Sequence, residues 1–146
     1  MSRWLLAGAG LLLASAAVAA TPATEVVDRF HQALERGDRA GAEAVLAPEV
    51  VIFETGFVTS LREDYLAEGF PRDAEFARQT ERRVLRRESW QDGNVAWVLS
   101  TTLTEGRFGE DRLALEGAES VMLRRDGESW RIMHVHWSAH PRSPAP

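Results

Sequence analysis

The 146-residue chain contains no cysteine and no lysine; all 17 of its basic residues are arginine. Without cysteine there is no disulfide framework, no thiol nucleophile, no cysteine-ligated metal and no lipid-modified N-terminal cysteine. Without lysine there is no Schiff-base chemistry. There is no basic excess either: 22 acidic residues leave a net charge of −5, which argues against a general nucleic-acid binder. There is one tyrosine, Tyr65.

The one long apolar run lies at the extreme N-terminus. Met1 to Arg3 is short and positive, Trp4 to Ala17 is uncharged and rich in Leu and Ala, and Ala17-Val18-Ala19-Ala20 ends in small residues before Thr21-Pro22. This pattern predicts a secretory signal peptide over residues 1–20, cleaved near Ala20. The run is short of the roughly 20 residues that a membrane span needs. Twin arginine is absent, which favours the general secretory route. The expected location is periplasmic or secreted, with no membrane association after cleavage and a mature chain more acidic than the whole.

The remainder reads as helices followed by strands. Glu25 to Arg36 carries Val26, Val27, Phe30, Ala33 and Leu34 at helical spacing, with Thr24 as its cap and Gly37 as its left-handed end. Asp38 caps a second short helix stopped by Pro48. Val50 to Phe53 is a strand. Ser60-Leu61-Arg62-Glu63 reads as a capping box opening a third helix that Gly69 and Pro71 close, with one more turn at Asp73 to Ala77. From Thr80 onward Arg82–Trp90, Val95–Thr104, Arg112–Arg124 and Ser129–Ser138 are strand-forming runs. They are separated by hairpin signals at Asp92-Gly93, Gly106–Glu110 and Asp126-Gly127. The predicted class is α+β: a curved antiparallel sheet of four to six strands wrapped around three N-terminal helices. It forms one domain over residues 21–140, with a disordered tail over 141–146.

The block from the first helix through Glu35-Arg36-Gly37-Asp38 and Ala47-Pro48 to Val50–Glu54, with the last strand Trp130–Ser138, resembles the nuclear transport factor 2-like superfamily in its SnoaL-like and ketosteroid-isomerase-like branch. The resemblance spans residues 24 to 139 and implies a cone with an apolar pocket. It also implies a general base just after the first strand, where Glu54 stands. Burial against Phe53 and Phe57 would raise the pKa of such a carboxylate. The family's oxyanion donors fall at Phe30, which cannot donate, and Ser120, which can; Tyr65 offers a further hydroxyl. Glu54, Tyr65 and Ser120 are thus the candidate catalytic residues. Phe30, Phe53, Phe57, Trp97, Met122, Met133, Val135 and Trp137 are the candidate pocket walls.

His134 and His136 share one strand face. The resemblance puts that face outside, so a homodimer or surface role is favoured over a metal site. Arg82 and Arg86 alternate with Arg83 and Arg87, and Glu116 and Glu119 can pair with them across the sheet. The expected function is binding of a small, largely apolar molecule without a cofactor. The alternatives are a cofactor-independent isomerase, dehydratase or cyclase with Glu54 as base, and a non-catalytic dimerising interaction domain.

Overall fold

The computed structural model describes residues 21–142; the expected signal peptide over 1–20, and 143–146 of the expected tail, lie outside them. Helix α1 (Ala23–Arg36) buries Val26, Val27, Phe30, Ala33 and Leu34, the stripe that its spacing dictates. Gly37 ends it at φ 64, and its N–H and that of Asp38 close back onto Leu34 and Ala33. Pro22, not Thr24, holds the cap position, and no side chain caps the helix. Helix α2 (Arg39–Val45) is capped as expected, by Asp38 accepting from the Gly41 N–H.

The chain leaves α2 at Leu46, before Pro48, and enters β1 (Leu46–Glu54). Pro48 therefore lies within a strand, where the register shifts between Leu46 and Val51. This is the setting in which a residue without an N–H is tolerated. Thr55 (φ 48) and Gly56 (φ 84) turn the chain into β2 (Phe57–Ser60), a strand that lacks an alternating signal of its own.

Helix α3 (residues 62–79) differs from expectation. No capping box forms: Leu61 holds the cap position at φ 78, with no side-chain cap bond. The helix also does not stop at Gly69 or Pro71. After Arg62–Asp64 it widens into a π turn at Tyr65–Gly69 and continues as Phe70–Gln79. The Phe70 N–H reaches back five residues to the Tyr65 carbonyl. The altered bonding register accommodates Pro71, whose ring would clash with the carbonyl four residues back in a regular helix.

Four long strands follow: β3 (Thr80–Asp92), β4 (Val95–Phe108), β5 (Asp111–Asp126) and β6 (Ser129–Pro141). The sheet order is β2-β1-β6-β5-β4-β3, antiparallel except for the parallel pair β1 and β6. The sheet is therefore mixed, curved and unclosed. Pro141 belongs to β6, and the Arg142 N–H bonds the Ala114 carbonyl, so these two residues are not tail.

Helix α1 packs on α2, α3 and the inner faces of β4 and β6. Its apolar stripe meets Val50, Ile52, Val98, Val121, Leu123, Ile132 and Val135 in one core. This core fills the narrow part of the cone and leaves the wide part open.

Candidate functional site

Strand alternation decides what the open part contains. On β5, Glu119, Val121 and Leu123 are buried while Ser120 is exposed. On β4, Ala96, Val98, Ser100 and Thr102 are buried while Trp97 and Leu99 face out. One inward level crosses the sheet through Glu54, Trp137, Glu119, Ser100 and Arg87, each in register with the next. Arg87 shares the inner face with Arg82, not with Arg83 as strict alternation would have it. The reason is an irregularity between Val84 and Arg86, which shifts the phase by one residue.

Between this level and α1 and α3 lies a cavity of ≈ 330 Å³. Its apolar wall includes Leu34, Phe76, Ala77, Phe108, Leu115 and Trp137; its polar groups include His31, Glu54, Arg72, Asp73, Arg82 and Glu119. These six ionisable groups fall in two clusters.

The inner cluster centres on Glu119, which is only 3% exposed. Its Oε2 accepts from His31 Nε2 at 2.5 Å and from the Trp137 indole N–H at 2.7 Å, and its Oε1 accepts from Arg82 Nη2 at 3.0 Å. Burial pushes the Glu119 pKa up, but the hydrogen bond and charge of His31, then Arg82 and Trp137, outweigh it and bring it to about 2. Behind the cluster, Phe30 stacks on Trp137 at 6.0 Å with the rings 5° from parallel.

The outer cluster is Glu54, Arg72, Asp73 and Tyr65. Arg72 Nη2 donates to Glu54 Oε2 at 2.7 Å and lies 3.5 Å from Asp73 Oδ1; the Tyr65 hydroxyl donates to Asp73 Oδ2 at 2.8 Å. Gly69 makes the Tyr65 position possible, since a Cβ there would stand 2.6 Å from Tyr65 Cδ2. Burial first, and then the Glu54 charge, raise the Asp73 pKa to about 6 against the pull of Tyr65 and Arg72. Burial, then the Asp73 charge, hold the Tyr65 proton on well above its ordinary range.

The expected site residues are thus divided. Glu54 and Trp137 line the cavity, while Tyr65 is buried beside it and acts on Asp73. Phe30 and Val135 are core. Met133 is half-buried at the irregularity in the β5–β6 pairing and does not line the cavity.

Five placements are corrected by the structure. Phe53 lies on the outer face against His134 and His136, Phe57 is 73% exposed on the β1–β2 hairpin, and Trp97 is 40% exposed. Met122 is in register with Trp97 and His134, and Ser120 with Leu99 and His136, all on the outer side. A shift of one residue along a strand exchanges its two faces, so the inward acid of β5 is Glu119 and not Ser120. Glu54 accordingly has an arginine partner in place of two phenylalanine walls. His134 Nδ1 lies 2.9 Å from the Val51 carbonyl, and the described residues hold no group of three His, Asp or Glu arranged for a metal ion.

Sequence reasoning missed His31, Arg72 and Asp73. Asp73 was hidden by the expected helix end at Pro71. His31 left one signal, its place beside Phe30 at the edge of the apolar stripe.

A curved, unclosed sheet wrapped around three helices over a pocket defines the cystatin-like α+β class. Residues 23–142 match the SnoaL-like domain family, and the chain belongs to that family. It is similar in structure to a provisionally assigned ketosteroid isomerase from Shewanella frigidimarina, at TM-score 0.77 and 26% identity, over 80% of this chain and 94% of that one. It is also similar to a provisionally assigned dehydratase of the NTF2-like family from Streptomyces avermitilis, at TM-score 0.67 and 17% identity, over 82% and 93%. The CaMKII hub of S. rosetta aligns at TM-score 0.71 and 20% identity, over 84% and 100%. The last two likenesses concern the fold. No curated protein resembles the chain closely enough in sequence to count as a match.

The two carboxyl groups make opposite contributions to stability. Folded, Asp73 keeps its proton up to about pH 6, whereas unfolded it releases it near 3.8, so stability falls as pH rises through that window. Glu119 stays ionised down to about pH 2 instead of 4.5, so its contribution is complete above 4.5 and is lost as pH falls towards 2. Urea unfolding across pH 3–8 should therefore show a decline between about pH 4 and 6 that Asp73→Asn removes. Glu119→Gln should flatten the acid side and cost about 2–3 kcal/mol at neutral pH, because its buried donors then face a neutral acceptor. An unchanged slope in Asp73→Asn would contradict the assignment.

Proposed function

We propose that the protein binds a small, largely apolar molecule in the cavity of its cone. The observation that carries this reading is a ≈ 330 Å³ space whose wall includes Leu34, Phe76, Ala77, Phe108, Leu115 and Trp137, with its ionisable side chains gathered in two clusters. Such a lining stabilises an apolar body by its burial and fixes the polar end by a few hydrogen bonds. A charged ligand would have to compete with ion pairs already made within the protein.

Asp73 favours a second reading, in which the bound molecule is turned over by cofactor-independent acid–base chemistry of the isomerase, dehydratase or cyclase kind. A carboxyl with a pKa near 6 is partly protonated at neutral pH and can serve as a proton donor. Glu54, in the place the family gives its base, holds Arg72 and raises the Asp73 pKa by its charge. The names given to the Shewanella and Streptomyces relatives are consistent with this reading.

The site of action is periplasmic or extracellular, after removal of residues 1–20. The partner of the outer sheet face is a second copy of the chain: Phe53, Trp97 and Leu99 lie exposed on that face, against which a twofold-related copy can pack. Native mass spectrometry of the exported protein should give a dimer of chains that begin at Thr21; a monomer would refute the homodimer, and a retained Met1 would refute the cleavage.

For the cavity, N-phenyl-1-naphthylamine is a suitable neutral probe, because its fluorescence rises on transfer from water to an apolar pocket. Wild type should bind it. Ala77→Phe, which fills the cavity, should weaken binding about tenfold or more. Trp97→Ser, on the outer face, should not. Absence of probe binding in a folded wild type would overturn the reading.

A further inference from the structure

We propose that the outer face of the sheet carries a copper(I) site, made by His134 and His136 of β6 and the thioether of Met122 on β5. The site is separate from the cavity and does not rest on the small-molecule reading.

The strand register gathers the three donors. Met122 is directly opposite His134, and Ser120 is opposite His136, so the thioether and both imidazoles stand together on the outer face. Directly opposed side chains start about 5 Å apart, and alternate residues of one strand about 7 Å apart. All three side chains are longer than these gaps require, and the unbranched Met122 chain adjusts its sulfur to what the rings present. Met122 and His134 are half-buried and His136 is exposed, so an ion can enter from solvent. His134 Nδ1 lies 2.9 Å from the Val51 carbonyl oxygen. A carbonyl only accepts, so Nδ1 carries the hydrogen and the neutral ring keeps its lone pair on Nε2. A backbone carbonyl on the far nitrogen is the contact that fixes the tautomer and direction of a metal-bound histidine. Phe53 packs edge-on against both rings, 4.9 Å from His134 and 6.0 Å from His136, and restricts their rotation. Among the described residues, the bond to Val51 is the one polar contact that either ring makes.

The chemistry of the donors selects the ion. Their neighbours in register, Val51, Phe53, Trp97 and Ser120, are uncharged. With neither a carboxylate nor a thiolate in the set, nothing offsets the charge of a divalent ion, and the oxygen-seeking magnesium and calcium find no ligand. Zinc would lack the fourth ligand of a closed tetrahedral shell. Two imidazoles and a thioether are neutral, borderline-to-soft donors, and a thioether selects copper(I). Trp97, directly opposite Met122 on β4 and 40% exposed, sets an indole beside the sulfur, and an indole ring attracts a cation without giving up a lone pair. The chain has no cysteine to compete for the ion.

The test titrates the exported protein, without oxygen, into the coloured copper(I) complex of bicinchoninate. Wild type should withdraw one copper(I) per chain. Met122→Leu, which keeps the volume and removes the sulfur, and His136→Asn should each weaken binding about tenfold or more, since loss of a mere outer partner of a ligand already costs roughly 10–100-fold. His140→Asn, farther along the same strand, should match wild type. X-ray absorption at the copper edge should show sulfur beside nitrogen in wild type and nitrogen without sulfur in Met122→Leu. If Met122→Leu does not fold, the decision passes to His136→Asn, at an exposed position, and to the sulfur signal of wild type. A second copy packed on this face would enclose the site, and native mass spectrometry should then count two copper ions per dimer, because each chain supplies its own three donors. A folded wild type that withdraws no copper, a nitrogen-only spectrum, affinity unchanged in Met122→Leu, or one ion shared between two chains overturns the proposal.

Discussion

A carboxylate taken almost completely out of water keeps its charge only if the protein supplies the hydrogen bonds that water would have made, and Glu119 sets that condition for the centre of this cone. Three donors meet it, from three different elements: His31 on α1, Arg82 on β3 and Trp137 on β6. Satisfying one buried acid therefore fixes the rotation of α1 and the curvature that brings β3 over β4 towards β5. It also fixes the inward phase of β6. Phe30, stacked on Trp137, extends the same constraint into the apolar core. Removing a single partner would leave the buried carboxylate short of a hydrogen bond, which costs more than the net worth of that bond.

The outer cluster follows a different logic. Its acids are incompletely neutralised: two carboxylates, Glu54 and Asp73, share one arginine, and only Asp73 receives a phenolic donor. One cluster therefore holds a permanent anion and the other a carboxyl that titrates near neutrality, on the same cavity. Environments that drive two acids apart in this way divide the roles of fixed charge and exchangeable proton. The π turn in α3 makes the second cluster possible. It carries the helix past Pro71, so that Arg72 and Asp73 reach the mouth of the cone, and Gly69 leaves room for the Tyr65 ring that aims its hydroxyl at Asp73.

Much of the fold was legible in the sequence. The apolar stripe of α1, the αL glycine after it, the Asp38 cap and the four long strands with their Gly-containing turns are local features, and the structure has them. The parallel pairing of β1 with β6 was not legible, because strand partners distant in sequence leave no local mark. The end of α3 was misjudged because proline is a strong stop signal only while the helix keeps its regular register. The candidate site suffered most from parity. Placing Ser120 inward instead of Glu119 is an error of one residue, yet it replaces a buried anion with an exposed hydroxyl. The same shift, introduced between Val84 and Arg86 by an irregularity, moved Arg87 onto the face of Arg82. One signal did point the right way: Glu119 is in phase with Val121 and Leu123, and an acid in step with two apolar positions is a buried acid in need of partners. Family membership fixes the architecture, and the chemistry depends on which side chains this particular chain places at the inner level.

The central claim is that Glu119 is a permanent anion at the inner end of the cavity, held by His31, Arg82 and Trp137. Carbon-detected NMR of the Glu119 side-chain carboxyl during acid titration tests it most directly. The account predicts a flat chemical shift from pH 8 down to pH 4, with a midpoint at about 2. A midpoint at or above 4.5, the ordinary value for a glutamate, would show that the three donors do not hold it and would contradict the account.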